Sequence, residues 1–163
     1  MYQEHAQTKF SDGTACFSVD MQKVIILPRV DTFKRVLFIK RLTTYNESFV
    51  PVGSKSHFKS FAVLWNEAVS GRDKEDIVSC FYTFFLKYRD PSKIIFWLDN
   101  CSSQIKNKCF LSFLVRIINS PEIYANKIIP NFFEPGHTLM FSPPSLNFDF
   151  VDAVQKHRNQ KPK

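Results

Sequence analysis

The chain has 163 residues, enough for one domain with a sizeable buried core, and its 18 phenylalanines make that core rich in aromatic rings. Because it has only four glycines and no match to the glycine-rich phosphate-binding patterns, the sequence excludes a P-loop and a dinucleotide-binding turn. The formal net charge of +7 favours acidic partners such as nucleic acid or an anionic membrane surface, and a merely well-solvated basic surface is an equal alternative.

The first half of the chain predicts three β-strands in succession. They are expected at Thr14–Val19, Arg35–Leu42 and Phe61–Trp65. Val24–Leu27 continues as extended chain, whereas Thr43–Ser60 is predicted to be a polar connection because it contains Pro51 and Gly53. Residues 1–13 are polar and are predicted to be poorly ordered. Three strands with no helical period between them favour an antiparallel meander.

A first helix is predicted after Asp73, which is the expected N-cap. Asp76, three residues later, gives a weaker form of the capping box. The apolar residues that share one helical face are Ile77, Phe81, Phe84, Phe85 and Tyr88. Asp90-Pro91 ends this helix, because the residue before a proline disfavours the helical conformation.

A strand buried on both faces is predicted next, at Lys93–Leu98, because its apolar run is unbroken. A second helix is expected from Gln104 onward, with Ser102 or Ser103 as its N-cap. Its apolar residues again keep helical spacing, and Ser120-Pro121 ends it.

The last predicted element is a strand over Ile128–Phe133, and Pro130 makes it an edge strand or gives it a late start. The order of three strands, helix, strand, helix and strand predicts an α/β fold with a mixed five-stranded sheet covered by helices, the ribonuclease H-like order. We expect this core to span residues 14–138, with poorly ordered or divergent termini at 1–13 and 139–163.

Two aspartates follow strands that this order makes neighbours. Asp20 ends the first predicted strand and Asp99 ends the fourth, and the carboxyl ends of both point the same way. Two unpaired carboxylates about 4 Å apart repel by roughly 4 kcal/mol at an effective dielectric constant of about 20. A divalent cation removes that repulsion, and oxygen ligands suit Mg²⁺ or Mn²⁺. For Asp99, capping of the next helix is an even alternative.

The four cysteines show no metal-binding spacing. Three of them fall in apolar segments, where a free cysteine acts as a small apolar residue. Without an export signal, this pattern favours an intracellular location, nuclear or cytoplasmic, over a disulfide framework or a zinc site. The longest apolar runs fall far short of the roughly 20 residues that a membrane-spanning helix needs, so we expect no membrane partner.

Three stretches of the sequence resemble a known family. They are Phe17–Val24 (FSVDMQKV), Leu98–Asn107 (LDNCSSQIKN) and Glu134–Thr138 (EPGHT). Members of the family read close to D-(L/M)-Q-K, (S/L)-D-(N/S)-C-(S/G)-(G/S)-Q-N-(R/K)-N and G-H-(S/T) at these places. The chain thus resembles a metazoan family of largely uncharacterised, transposon-derived proteins with a ribonuclease H-like, DDE-transposase-type core, and the resemblance covers residues 14–138.

The resemblance implies a metal-dependent nuclease or transposase core that acts on DNA. Asp20 and Asp99 match the family's first two acidic positions, and His137 matches its histidine, so these three are the candidate catalytic residues. For His137, a structural hydrogen-bonding role is the commoner alternative for a lone histidine after glycine. The candidate nucleic-acid contacts are Gln104, Lys106 and Lys108.

The chain departs from the family after Gly136-His137-Thr138. Members carry an acidic residue a few positions further on, whereas Leu139–Leu146 contains no carboxylate. The remaining candidates for a third metal ligand are Asp149, Asp152 and Glu134. The departure therefore predicts a degenerate or inactive remnant. Active two-metal phosphodiester cleavage or strand transfer is one alternative, and a non-catalytic protein-interaction or nucleic-acid-binding domain is another.

Overall fold

The computed structural model describes residues 1–28, 40–54, 56–101 and 103–133. The described part of the chain forms an α/β fold with one mixed, open β-sheet. Its elements are α1 (Tyr2–Gln7), β1 (Thr14–Met21), β2 (Ile25–Leu27), β3 (Leu42–Pro51), β4 (Phe61–Asn66), α2 (Lys74–Lys87), β5 (Lys93–Leu98), α3 (Lys108–Ile118) and β6 (Lys127–Phe132).

Strand β1 lies at the centre of the sheet, which has six strands within the described residues. It pairs antiparallel with β3 on one side and parallel with β5 on the other. Strand β6 extends the parallel half, while β2 and β4 both pair antiparallel with β3. The predicted α/β class and mixed sheet are confirmed, and the sheet has one strand more than predicted.

The second long strand does not lie where the sequence pattern placed it. The prediction of a polar connection over Thr43–Ser60 is wrong for residues 43–51, because β3 forms the central antiparallel ladder there. Its buried positions are Thr44, Glu47 and Phe49, so only one of the three is apolar, and the strand lacks the usual alternation. Most of the predicted strand at Arg35–Leu42 lies outside the described residues.

Helices α2 and α3 cover one face of the sheet with a cluster of phenylalanines. Phe84 of α2 stacks on Phe49 of β3 with ring centroids 4.6 Å apart, and it meets Phe17 and Phe96 edge-on at 4.9 and 5.4 Å. Aromatic pairs at these distances add roughly 0.5–1.5 kcal/mol each beyond the area that they bury. This cluster fixes α2 across the strands that carry the site described below.

The opposite face carries a smaller apolar cluster around Trp97 of β5. Helix α1 packs there: the Tyr2 ring lies edge-on to Trp97 at 5.3 Å, and the Trp97 indole N–H donates to His5 Nδ1 at 3.2 Å. These contacts order residues 2–7, which differs from the expected poorly ordered terminus. Since the contacts are made with β5, some ninety positions away in the sequence, no local periodicity could indicate them.

The two long helices begin differently. Helix α2 has the predicted capping box, in which the Asp73 backbone N–H donates to Asp76 Oδ2 at 2.9 Å. Helix α3 begins at Lys108 rather than at Gln104, and its N-cap is Asn107, whose Oδ1 accepts from the Phe110 N–H at 3.0 Å.

Among the strands of the described residues, β6 lies at the edge of the sheet, one of the two positions that Pro130 predicts for it. The Phe133 N–H donates to the Leu98 carbonyl, so the backbone nitrogens at odd-numbered positions face β5 and the nitrogen of Pro130 faces away from it. The proline therefore removes no hydrogen bond from the ladder. No helix in the described residues is long and apolar enough to span a membrane.

Candidate functional site

Asp20 and Asp99 converge at the carboxyl end of the parallel strand pair. Val19 of β1 lies opposite Leu98 of β5, and the two aspartates are the next residue on each chain. Both line one open cleft of about 290 Å³, together with residues 21–24, Arg72, Gln104 and Ile105. The sheet order predicts this convergence, because carboxyl ends of adjacent parallel strands meet at one rim.

The two carboxylates are electrostatically coupled. The pKa of Asp20 is raised above its ordinary value, first because surrounding protein displaces part of its hydration and second because of the negative charge of Asp99. Asp20 still keeps solvent access at the cleft. Neither aspartate has an ion-pair partner among the described residues, whose only ion pairs are Met1–Glu4 and Lys74–Glu75. The described structure therefore holds two like charges together without an ion pair to either of them.

The Asp20 backbone and side chain are held by polar neighbours. The Ser48 hydroxyl on β3 donates to the Asp20 carbonyl at 3.0 Å, and the Gln22 side-chain amide donates both to Ser48 Oγ at 3.1 Å and to Asp20 Oδ2 at 3.3 Å. Gln22 is thus a positioning residue that the sequence patterns did not single out. The one indication in the sequence is that Gln22 belongs to the Asp20–Lys23 stretch, which resembles the family motif D-(L/M)-Q-K.

Asp99 is fixed by a local turn rather than by the next helix. Its Oδ1 accepts from the Asn100 backbone N–H at 2.7 Å. The Cys101 carbonyl then accepts from the N–H groups of Gln104, Ile105 and Lys106, and this closes the turn before α3. Because Asn107 caps α3, the alternative in which Asp99 serves as the cap of that helix is wrong.

A third carboxyl group, Glu47, is buried behind the rim. Glu47 on β3 lies opposite Met21 on β1, so the two side chains share the face covered by α2, and only 1% of Glu47 is exposed. Neither of its carboxylate oxygens has a hydrogen-bond partner. Burial, and then the charge of Asp20, raise its pKa to about 8, so Glu47 is mostly protonated at neutral pH. The sequence did not indicate a buried carboxyl group at Glu47, because the surrounding residues were predicted to be a polar connection rather than a strand.

Two cations, Lys23 and Arg72, line the same cleft. Arg72 is carried by an anchored loop between β4 and α2: the Trp65 indole N–H donates to the Gly71 carbonyl at 2.6 Å, and Asp73 is held in the capping box. The Ser70 hydroxyl also donates to Asp76. The loop thus holds the Arg72 backbone at the cleft, although no sequence motif marks this arginine.

The predicted nucleic-acid contacts are placed unequally. Gln104 lines the cleft, with its Nε2 4.0 Å from Met21 Sδ. Lys106 lies outside the cleft lining, with its Nζ 5.6 Å from the centroid of the Phe132 ring, and Lys108 is exposed at the start of α3. The remaining predicted site residues lie outside the described residues; they are His137, Glu134, Asp149 and Asp152.

The cleft has some, but not all, of the ligands that a divalent cation needs. Two oxygen-donor side chains, Asp20 and Asp99, share the cleft and suit Mg²⁺ or Mn²⁺. Among residues 1–28, 40–54, 56–101 and 103–133, however, no group of three or more His, Cys, Asp or Glu side chains is placed to hold a metal ion. Glu47, buried and mostly protonated, does not complete the set.

Comparisons of this chain with protein-family models, with curated proteins and with solved structures found no match. The interpretation of the site therefore depends on its own geometry.

Proposed function

We propose that this chain is a ribonuclease H-like domain derived from a metal-dependent DNA nuclease or transposase, and that its metal centre is degenerate. The convergence of Asp20 and Asp99 at the ends of adjacent parallel strands carries the proposal. The sheet supports it, because three antiparallel strands followed by two parallel ones, in the order β4-β3-β1-β5-β6, is the arrangement expected of such a core. The resemblance in the Asp20 and Asp99 stretches points the same way.

In this proposal, Asp20 and Asp99 together hold Mg²⁺ or Mn²⁺ in the cleft. A divalent cation there would neutralise a phosphodiester and activate an attacking hydroxyl or water. Gln22 keeps the Asp20 carboxylate oriented by its side-chain hydrogen bond, and the turn at Cys101 keeps Asp99 at the rim. The chain's own contribution is thus a pre-positioned pair of oxygen ligands.

The degenerate form is favoured by the small number of ligands. Two-metal phosphodiester chemistry needs several carboxylates around the cleft, and the described residues supply two. The segment Leu139–Leu146, where the family carries its next acidic residue, contains none. Metal binding without turnover is therefore the expected behaviour.

A second candidate, active phosphodiester cleavage or strand transfer, is favoured by one observation. The Asp20–Asp99 pair has no cationic partner among the described residues, and the negative charge of Asp99 raises the pKa of Asp20. A pair kept only for structure would gain stability from an ion pair with a neighbouring cation, so two carboxylates without such an ion pair are what a functional cation site requires.

The first experiment measures thermal unfolding in EDTA, MgCl₂ and MnCl₂ at constant ionic strength. Wild-type protein should melt a few degrees higher with either metal, because a ligand that binds only the folded state stabilises it. Asp20→Asn and Asp99→Asn should abolish this gain. Asp12→Asn, an exposed aspartate at the opposite end of β1, should retain it. Equal metal responses in all four proteins would contradict a cation site at this rim.

The second experiment separates the two candidates. Labelled DNA is incubated with wild-type protein and either metal, and cleavage is followed on denaturing gels. Metal-dependent melting without cleavage supports the degenerate domain. Cleavage that Asp20→Asn and Asp99→Asn both abolish supports the active enzyme instead.

A further inference from the structure

The cleft that holds the two aspartates also contains two cations that bind nothing within the described residues. Lys23 lies two residues after the end of β1, and Arg72 reaches the cleft from the β4–α2 loop. Neither makes an ion pair or a side-chain hydrogen bond with a described residue. A cation kept to stabilise the carboxylates would be paired with one of them.

The backbone around Arg72 is held more firmly than an exposed loop requires. The Gly71 carbonyl before it accepts the Trp65 indole N–H, and the Asp73 N–H after it donates to Asp76. Holding the backbone on both sides reduces the conformations that the arginine must lose when it binds a ligand. Since its side chain has no partner of its own in the described structure, the anchored loop presents a free guanidinium to the cleft.

The charges in the cleft identify the class of ligand. Two carboxylates and two cations line the cleft, so its formal charges sum to zero and it attracts neither an anion nor a cation strongly at long range. A divalent cation on Asp20 and Asp99 leaves Lys23 and Arg72 as excess positive charge at the cleft. An anion with several oxygens then fits, and the planar guanidinium of arginine binds two oxygens of one phosphate.

We propose that Arg72, assisted by Lys23, is the phosphate-binding residue of this cleft and contacts the phosphodiester backbone of nucleic acid next to the cation site. This inference rests on the proposed function, because it needs the cation that Asp20 and Asp99 would hold. It adds the residue that positions the ligand and predicts that cation and phosphate bind cooperatively.

The test measures binding of a fluorescein-labelled DNA duplex by anisotropy, in EDTA and in MgCl₂ at matched ionic strength. For wild-type protein, MgCl₂ should increase affinity. Arg72→Ala should weaken binding in MgCl₂ roughly tenfold, as expected for the loss of a hydrogen-bonded charged contact. It should also reduce the slope of log affinity against log salt by about 0.9. Arg72→Lys should recover only part of the affinity, because an ammonium cannot bind two phosphate oxygens in one plane.

The matched control is Arg116→Ala, which removes the same charge from an exposed position on α3 that does not line the cleft. Its affinity should stay close to that of the wild type. Equal losses in Arg72→Ala and Arg116→Ala would overturn the proposal, because the contribution would then be that of general surface charge. Thermal unfolding of both variants should match the wild type, since neither side chain has a structural partner in the described residues.

Further measurements distinguish failure of the Arg72 proposal from failure of the proposed cation site at Asp20 and Asp99. Calorimetric titration with inorganic phosphate in MgCl₂ tests a free anion as ligand, and saturable binding of phosphate without binding of the duplex would overturn the nucleic-acid assignment. The metal-dependent melting described above is measured without DNA, and duplex binding is also measured in EDTA. A melting gain with no effect of Arg72→Ala therefore rejects this inference alone, whereas no melting gain rejects the cation site.

Discussion

Glu47 lies directly across the β1–β3 ladder from Met21, on the face covered by α2, with no hydrogen bond to either of its carboxylate oxygens. Met21 follows Asp20 on β1. The end of this strand therefore places the Asp20 carboxylate at the solvent-accessible rim, and the Glu47 carboxyl group of the paired strand β3 is buried behind it. Because burial raises the pKa of Glu47, the free energy of unfolding of the protein should depend on pH.

Glu47→Gln should remove a loss of stability that the wild type shows as pH rises. The pKa of Glu47 is about 8 in the folded protein and 4.5 in the unfolded chain, so between these values only the folded state keeps the proton. The free energy of unfolding therefore falls as pH rises through this window and levels off above it. Urea unfolding at several values between about pH 5 and pH 9 measures the slope.

The control for this prediction is Glu75→Gln, which changes an exposed glutamate in the first turn of α2. It should keep the wild-type slope. If Glu47→Gln keeps that slope as well, the carboxyl group is ionised in the folded state and has found a partner in solution.

Asp99→Asn should lower the pKa of Asp20. The negative charge of Asp99 is the second cause of the raised value, after the displacement of water by surrounding protein, so the value should fall but stay above its ordinary level. Carbon-detected NMR titration of the Asp20 carboxyl measures the change. Asp12→Asn lies at the far end of β1 and should leave the titration of Asp20 where it is. An unchanged titration in Asp99→Asn would mean that the two carboxylates diverge in solution.

Asn107→Ala should destabilise the protein by about 1 kcal/mol, because the α3 N-terminus loses the side-chain oxygen that accepts from the Phe110 N–H. Asn107→Asp should keep most of the stability, since aspartate caps equally well and its charge favours a helix N-terminus. Chemical denaturation compares the three proteins. A cost as large for the aspartate as for the alanine variant would show that Asn107 acts through another contact.

Phe84→Ala should destabilise by roughly 3–5 kcal/mol, the usual cost of emptying a buried phenylalanine site. Phe84 is fully buried and touches rings from three strands and from its own helix. Tyr124→Ala, at a position that is 84% exposed, should change stability by no more than about 0.5 kcal/mol. A loss under 1 kcal/mol for Phe84→Ala would contradict the packing of α2 against the sheet, and urea denaturation measures both.

Patterns that depend on one element were predicted well from the sequence. The unbroken apolar run within Lys93–Leu98 marks a strand that is buried from Ile94 to Leu98, and the spacing of Ile77, Phe81 and Phe84 marks the inner face of α2. Once β1 and β5 are neighbours and parallel, the meeting of Asp20 and Asp99 follows from geometry alone. This is why the two-aspartate rim could be expected before the structure.

Features that depend on several elements could not be predicted in this way. The sequence of β3 does not show which face is buried, because the polar residues Thr44 and Glu47 occupy two of its buried positions. Helix α1 is ordered by contacts with Trp97, which is distant in the sequence. Arg72 reaches the cleft because Trp65 and Asp76 hold the flanking backbone, and neither contact leaves a spacing signal near the arginine. The predicted His137 and the third-ligand candidates lie outside the described residues and stay predictions.

The two tryptophans of the chain give each face of the sheet its own optical probe. The Trp65 indole is bonded to the Gly71 carbonyl, one residue before Arg72, and its ring packs on the face covered by α2 and α3. The Trp97 indole is bonded to His5 of α1 on the other face. Intrinsic emission from a Trp97→Phe protein would therefore report on the loop that carries Arg72, and emission from a Trp65→Phe protein on the docking of α1.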